Sequence, residues 1–211
     1  MEKIGLLGGT FDPIHLGHLR VGVEVYERLA LSKVLFIPAG EPPHKKGRPL
    51  SPFPFRYEMT RLAIKNVPYF EVCDIEGKRQ GPSYSVKTLE ELTAKIKAEF
   101  FFILGLDAYL EFDIWYQYQR IPRLAHLVVV TRGPGGQEEF LLKTREIFPQ
   151  AVEENGIFLL PQGKSLRFLP VTRLDISSTM IRKAVKARQS IQFLVPEEVR
   201  EFIALHKLYL N

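Results

Sequence analysis

The chain has little cysteine. Cys73 is the only one, so no internal disulfide can form, and no Cys/His cluster of metal-binding spacing surrounds it. It reads as a small buried apolar residue on a strand rather than a reactive thiol. No apolar run approaches the ~18 residues that a membrane span requires, and, with the strand-like run at Ile4–Leu7 so near the start, no signal peptide is expected. The expectation is a cytoplasmic protein without a membrane partner. Long runs of one charge sign are also missing: 29 Lys+Arg stand against 24 Asp+Glu, a formal net charge of +5, and the densest basic group, Lys45-Lys46-Gly47-Arg48, is short. That balance suits small polyphosphate substrates. Without aromatic–basic interleaving it argues against a nucleic-acid partner and against an RNA-binding module. Two phosphate-binding strings are absent as well. There is no Gly-x4-Gly-Lys-Ser/Thr, which excludes a P-loop enzyme, and no Gly-x-Gly-x-x-Gly after the first strand, which argues against a dehydrogenase.

The 211 residues, 45% apolar and 25% charged, form one domain of ordinary size, 1–211, with a helical C-terminal part from about 176 to 211. Apolar runs at Ile4–Leu7, Val34–Ile37, Phe70–Cys73, Phe100–Leu104, Leu127–Thr131 and Ile157–Leu160 read as strands. They alternate with helical patterns after Gly17 (Leu16, Leu19, Val23, Tyr26) and at Phe55–Asn66, Ser85–Lys97, Ser178–Ala187 and Pro196–His206. The Pro- and Gly-rich stretches Glu41–Pro54 and Gly133–Gln137 read as surface loops. Alternating continuous strands and helices predict an α/β, Rossmann-like fold: a mainly parallel sheet with helices on both faces. In such sheets ligands sit outside the carboxyl ends of the strands. Gly8–His18, Pro38–Lys46 and Gly105-Leu106-Asp107 all follow strand ends, so they are expected to share one site.

The string Gly8-Gly9-Thr10-Phe11-Asp12-Pro13-Ile14-His15-Leu16-Gly17-His18 carries the strongest chemical signal. Gly8 and Gly9 allow a sharp turn and close approach of backbone to a ligand. The turn and the helix start behind it offer N–H groups and a positive dipole end to an anion. Thr10 adds a hydroxyl, and His15 and His18, three residues apart, project from one helix face. Such a constellation suits nucleotidyl transfer, which needs charge stabilisation at phosphorus and no covalent nucleophile. By composition, His-x-Gly-His arises in roughly one such sequence in a hundred, so its placement between strand and helix matters. A metal site at His15 and His18 lacks a third local ligand unless Asp12 serves. Near the C-terminus, Ile176-Ser177-Ser178-Thr179-Met180-Ile181-Arg182 places capping serines, a hydroxyl and a guanidinium at a second helix start.

Both strings resemble the nucleotidyltransferase superfamily with the His-x-Gly-His signature, distantly related to class I aminoacyl-tRNA synthetases. The longer form Gly-Gly-Thr-Phe-Asp-Pro-Ile-His-Leu-Gly-His-Leu resembles the bacterial nicotinate-nucleotide adenylyltransferase family. So do Pro42-Pro43-His44-Lys45, Gly81-Pro82-Ser83-Tyr84-Ser85-Val86-Lys87-Thr88-Leu89 (with Ser85 where Thr is usual), Gly105-Leu106-Asp107, Trp115-Tyr116 and the ending His206-Lys207-Leu208-Tyr209. The resemblance implies transfer of AMP from ATP to nicotinate mononucleotide, with Mg²⁺ accompanying ATP and giving nicotinate adenine dinucleotide and pyrophosphate in NAD biosynthesis. It implies catalysis by His15, His18, Thr10 and Arg182. ATP is expected on Gly8, Gly9, Thr10, Phe11, His15, His18, Gly105, Asp107 and the Ile176–Arg182 segment (Ile176, Ser177, Ser178, Thr179, Arg182), with His44 and Lys45 near the triphosphate. The acceptor is expected on Tyr84, Ser85, Trp115 and Tyr116, with Arg132 as a further contact. The same resemblance gives Arg56-Tyr57-Glu58-Met59 a structural part and the C-terminal ending no chemistry. A sister transferase acting on phosphopantetheine or a sugar alcohol phosphate is the nearest alternative, and a homo-oligomer is left open.

Overall fold

Strands that are apolar along their whole length need cover on both faces, and the chain supplies it from alternate helices. The computed structural model describes residues 1–43 and 50–210. In chain order the strands are β1 (Lys3–Gly9), β2 (Lys33–Pro38), β3 (Phe70–Val72), β4 (Glu99–Gly105), β5 (His126–Arg132), β6 (Val152–Glu154), β7 (Ile157–Leu159) and β8 (Ser165–Val171). The helices are α1 (Leu16–Arg28), α2 (Phe53–Ile64), α3 (Ser85–Lys95), α4 (Leu106–Leu110), α5 (Ile121–Leu124), α6 (Gln137–Ile147), α7 (Ser178–Lys186) and α8 (Glu197–Leu205). The strands form one sheet in the order β3-β2-β1-β4-β5-β8-β7-β6. Pairing is parallel from β3 to β8 and antiparallel only for β8-β7-β6. The expected α/β architecture is the one observed.

The pleat sends alternate residues to two cores. Ile4, Leu6, Phe100, Phe102, Leu127 and Val129 face the side covered by α3 to α6, where Val86, Leu89, Leu92, Tyr109 and Phe140 pack. Leu7, Phe101, Ile103, Val128 and Val130 face α1, α2, α7 and α8, meeting Val21, Val25, Met59, Ile181 and Val199. Helix α1 lies close to the sheet at Gly22: a Cβ there would meet the Phe36 and Phe70 rings at 2.9 Å. The face of α1 most deeply buried is therefore Val21, Gly22 and Val25, while Leu16, Leu19, Val23 and Tyr26 flank it half-buried.

Five elements differ from the sequence reading, two of them the short helices α4 and α5, which are too brief to show a period. Strand β8 escapes a hydrophobic-run reading because Arg167 and Pro170 interrupt it, yet it pairs with β5 from Leu166 to Val171. Helix α6 begins at Gln137, the last residue of the expected loop, and buries only Phe140 and Thr144, too few to show a period. The short β6 is exposed on every residue and follows no apolar pattern.

One buried carboxylate ties α1 to the far half of the sheet. Glu24 is 2% exposed. It accepts from Arg20 at 2.8 Å, from Arg28 at 2.9 Å and from the Thr172 N–H at 2.9 Å. Burial alone would raise its pKa, but the Thr172 and Arg20 hydrogen bonds outweigh burial and hold it below the ordinary value of 4.5. Its contribution is thus complete above that value and lost as the pH falls through the lower folded pKa. Glu24→Ala is expected to destabilise the fold by about 2 kcal/mol, chiefly by orphaning the Thr172 N–H; a urea midpoint unchanged at pH 7 would contradict this.

Candidate active site

A cavity of about 1060 Å³ opens at the carboxyl ends of β1, β2, β4 and β5. Strand order reverses between β1 and β4: the chain leaves β1 towards β2 and β3, then returns through α3 to β4 on the other side. The cavity therefore sits at the topological switch point, where ligands bind in open α/β sheets. Gly8, Gly9, Thr10 and His18 form its floor. Ala39, Pro42 and Pro43 after β2, Ser83–Ser85 and Thr88 at the start of α3, and Gly105–Asp107 after β4 form its walls, with Trp115, Tyr116 and Arg132. The three segments expected to meet do meet. His44 and Lys45 lie outside the described residues.

The two motif histidines take different positions. His15 precedes α1 in extended conformation and is 2% exposed. His18 lies half-buried on the cavity side. Their rings stack at 3.7 Å and 27°, so they form one column and do not flank a ligand from opposite sides. Gly17 makes the stack possible, because a Cβ there would press on the His15 Cε1 and Nδ1 at 3.1 Å. Burial, then the charge of Arg132, lowers the His15 pKa from 6.5 to about 4. His15 is neutral at pH 7. Nδ1 of His18 accepts the His15 backbone N–H at 3.3 Å, which leaves the proton of the neutral ring on Nε2 as a donor. The Leu16 N–H is committed to the Leu194 carbonyl at 3.0 Å, so the anion-attracting part of this helix start is its dipole and side chains more than its first amide.

The second motif braces the first. Ser177 caps α7, accepting the Met180 N–H at 3.1 Å. Ser178 donates to the Pro13 carbonyl at 2.8 Å, and Arg182 donates to the Asp12 carbonyl at 2.7 Å and to Thr179 Oγ1 at 3.3 Å. Arg132 donates to the Ile176 carbonyl at 3.2 Å. Of these residues only Arg132 lines the cavity; Ile176–Arg182, like His15 and Phe11, do not.

On the opposite wall, Trp115 is half-buried, edge-on to Phe102 at 6.2 Å and tilted against Phe112 at 5.5 Å. Its core role and its place on the cavity wall coexist. Tyr116 stacks on Tyr84 at 4.4 Å. The segment is held from both sides: Lys143 pairs with Asp113 at 2.8 Å, and Arg120 pairs with Glu90 of α3.

Three residues of this neighbourhood hold the site through contacts that sequence alone does not reveal, although the resemblance gives Arg56 a structural part and Tyr209 a place in the ending. Arg56, 2% exposed, donates to the carbonyls of Ser51 (2.9 Å), Thr10 (2.8 Å), Ala39 (2.6 Å) and Gly40 (3.1 Å). Tyr209 donates to Asp12 Oδ1 at 2.6 Å across 197 positions of sequence. Glu76, buried and accepting from Thr88 at 2.6 Å, lines the cavity. A long polar residue at a helix start and a tyrosine near a chain end have no sequence feature that announces burial at a distant site.

The neutral, buried His15 has a consequence for pH dependence. Its folded pKa lies below the unfolded value, so its contribution is complete above 6.5 and is lost as the pH falls towards 4. His126, also lowered by burial first, acts in the same direction. Denaturation at pH 7.5, 6, 5 and 4 is expected to show stability falling below pH 6.5, with about 3 kcal/mol attributable to His15. His15→Gln should flatten that slope; an unchanged slope in the variant would remove His15 as its source.

Comparison with known proteins places these features. The family model described as "Cytidylyltransferase-like" matches residues 6–184. A protein of Desulfatibacillum aliphaticivorans described as "Probable nicotinate-nucleotide adenylyltransferase" is 44% identical, over 99% of this chain and 100% of the relative. One of Geotalea daltonii with the same description is 42% identical over 98% of each chain. The structure of Plasmodium falciparum nicotinic acid mononucleotide adenylyltransferase complexed with NaAD superposes with a TM-score of 0.73 at 20% identity, over 99% of this chain and 98% of the other; at that identity it speaks for the fold. The motifs, the switch-point cavity and the end-to-end likeness agree, and the chain belongs to the cytidylyltransferase-like family, in its nicotinate-nucleotide adenylyltransferase branch.

Proposed function

We infer that this chain transfers AMP from ATP to nicotinate mononucleotide, yielding nicotinate adenine dinucleotide and pyrophosphate in NAD biosynthesis. The observation that carries the reading is the joining, in one cavity, of the Gly8–Thr10 turn and His18 with the Tyr84–Ser85 and Trp115–Tyr116 wall. The first pair suits phosphates; the second suits a flat acidic ring. End-to-end likeness to the relatives described above supports the acceptor.

In this reading the 5′-phosphate of nicotinate mononucleotide attacks the α-phosphorus of ATP in line. An O–P bond forms, the bond from the α-phosphorus to the bridging oxygen breaks, and pyrophosphate leaves with the electron pair. The attacking phosphate is already anionic near neutral pH, so no general base is needed, and rate comes from positioning and electrostatics. Gly8 and Gly9 let backbone approach the phosphates, and Thr10 donates its hydroxyl. His18 presents Nε2–H to the charge developing on the leaving group. Neutral His15 sits beneath it, stacked and fixing its plane, without adding a charge of its own. Thr179 on the first turn of α7 and Arg182 on the second supply a further hydroxyl and cation on the triphosphate side. Gly105 and Asp107 meet the adenosine half.

The acceptor ring stacks on Trp115, and its carboxylate faces the start of α3 at Ser85. The positive end of that helix favours an acid over an amide. Arg132 adds positive potential between acceptor and α7. Mg²⁺ would accompany ATP and would offset the negative charge of its phosphates. The Asp12 carboxylate is already engaged by Tyr209 and by the Ser51 N–H at 3.2 Å, which leaves it unsuited to a metal.

Two measurements test this reading. Pyrophosphate release from ATP is compared with nicotinate mononucleotide, its amide and phosphopantetheine supplied in parallel; the nicotinate form should be preferred, and preference for phosphopantetheine would sink the assignment. His18→Ala should lower kcat by about 10²-fold or more while leaving the melting temperature nearly unchanged; near-normal turnover would exclude His18 from the chemistry.

A further inference from the structure

The turn joining β1 to α1 is held by contacts that converge on Asp12, and two of the residues making them, Tyr209 and Ser51, have no part in the transfer step. This residue is 2% exposed. One carboxylate oxygen accepts the Tyr209 hydroxyl at 2.6 Å, the other accepts the Ser51 N–H at 3.2 Å, and its carbonyl accepts Arg182 at 2.7 Å. A phenol bound to a buried carboxylate at that distance is a charge-assisted hydrogen bond, stronger and more directional than a neutral one. The backbone at both ends of the contact is strained. Phe11, next to Asp12, has φ +49°, and Tyr209 has φ +66°, in a region that side-chain-bearing residues rarely adopt. Such conformations persist where surrounding contacts over-determine them.

Phe11 gives the turn a route to the chemistry. Its ring is buried and meets the His18 ring edge-on at 5.0 Å and 87°. A shift of the turn at Asp12 moves Phe11, and with it the ring that aims Nε2 of His18. On the other side of Phe11, the Thr10 carbonyl is fixed by Arg56 at 2.8 Å. We propose that Tyr209 is a positioning residue for nucleotidyl transfer, acting through Asp12 on the turn that carries Thr10 and aims His18. The proposal rests on the reaction assigned above. Misplacement of a reacting group by a fraction of an ångström is enough to lower turnover by an order of magnitude or more, and the effect falls chiefly on kcat because no substrate-contacting side chain is replaced and Arg56 still holds the Thr10 carbonyl.

Steady-state kinetics with ATP and nicotinate mononucleotide decide it, using the full chain, Tyr209→Phe, Asp12→Asn and the double variant, each assayed well below its own Tm. Turnover by the unaltered chain tests the assigned reaction; ratios among the variants test the positioning role. Tyr209→Phe is expected to lower kcat about tenfold with both KM values nearly unchanged, and the double variant to be no slower than Asp12→Asn alone. A kcat for Tyr209→Phe indistinguishable from the unaltered chain, or losses that multiply in the double variant, would overturn the proposal. Hydrogen exchange on the unaltered chain gives a reading that no variant can spoil by misfolding. The amides of 9–16 and of 206–210 should open as one unit; a tail that exchanges freely beside a protected turn would equally overturn it.

Discussion

The guanidinium of Arg56 is buried and donates to four backbone carbonyls, those of Thr10, Ala39, Gly40 and Ser51. Those carbonyls come from the turn after β1, the loop after β2 and the approach to α2, so one side chain fixes the rim of the cavity from below. Burial works against the charge, and the nearby Asp12 opposes that effect. A buried cation satisfied by backbone acceptors holds its partners in place more firmly than it stabilises the fold, because any movement of a carbonyl leaves a donor unpaired. The same reasoning extends to Asp12, whose buried carboxylate binds one backbone donor and one side-chain donor. Together they make the turn from Gly9 to Pro13 a rigid piece set into the ends of β1 and β2.

Around that piece the architecture divides labour. The sheet places β1 beside β4 at the point where chain direction across the sheet reverses, and this leaves a crevice that no crossover helix covers. The face with α1, α7 and α8 supplies the groups suited to phosphates. The opposite face, with α3 and the Phe112–Tyr118 segment, supplies the aromatic wall. In the proposed reading the acidic ring and the triphosphate meet different layers, and the strand ends between them set the distance.

Much of this was legible in the sequence where the contacts are local. Gly8 to His18 form a continuous strand–turn–helix, so their grouping follows from order alone. In α3 the apolar positions Val86, Leu89 and Leu92, spaced at helical period, are buried together with Thr88, while Ile96 at the same period lies just past the helix end and is half-buried. In α1 the most deeply buried face includes Gly22 and Glu24, which a hydrophobic count cannot recognise; Gly22 is there for closeness and Glu24 for its three hydrogen bonds. The stacked histidines illustrate the same limit. Their shared helix face was visible from spacing, but the burial that chiefly makes His15 neutral, and the lesser effect of the Arg132 charge, come from elsewhere in the chain. Tyr209 was passed over because its partner is far away in sequence. Strand β8 was missed because Arg167 and Pro170 mask a segment whose place in the sheet is set by pairing with β5.

The contact between Tyr209 and Asp12 also bears on how the molecule is made. Synthesis delivers β1 and the glycine turn first, and chains fold from their N-terminal parts as they emerge. The two elements that hold Asp12 by its carbonyl and one carboxylate oxygen, α7 and the tail, arrive last. Until then Asp12 has no phenol to bind and the turn lacks its brace, however well the early strands have paired. The loop that this contact closes spans nearly the whole chain, the costliest kind to form and the last to be rewarded. A chain that has not yet reached α7 and Tyr209, or is clipped before them, therefore holds the nucleotide motif without its full brace, and the packing of those late residues against Asp12 finishes the site.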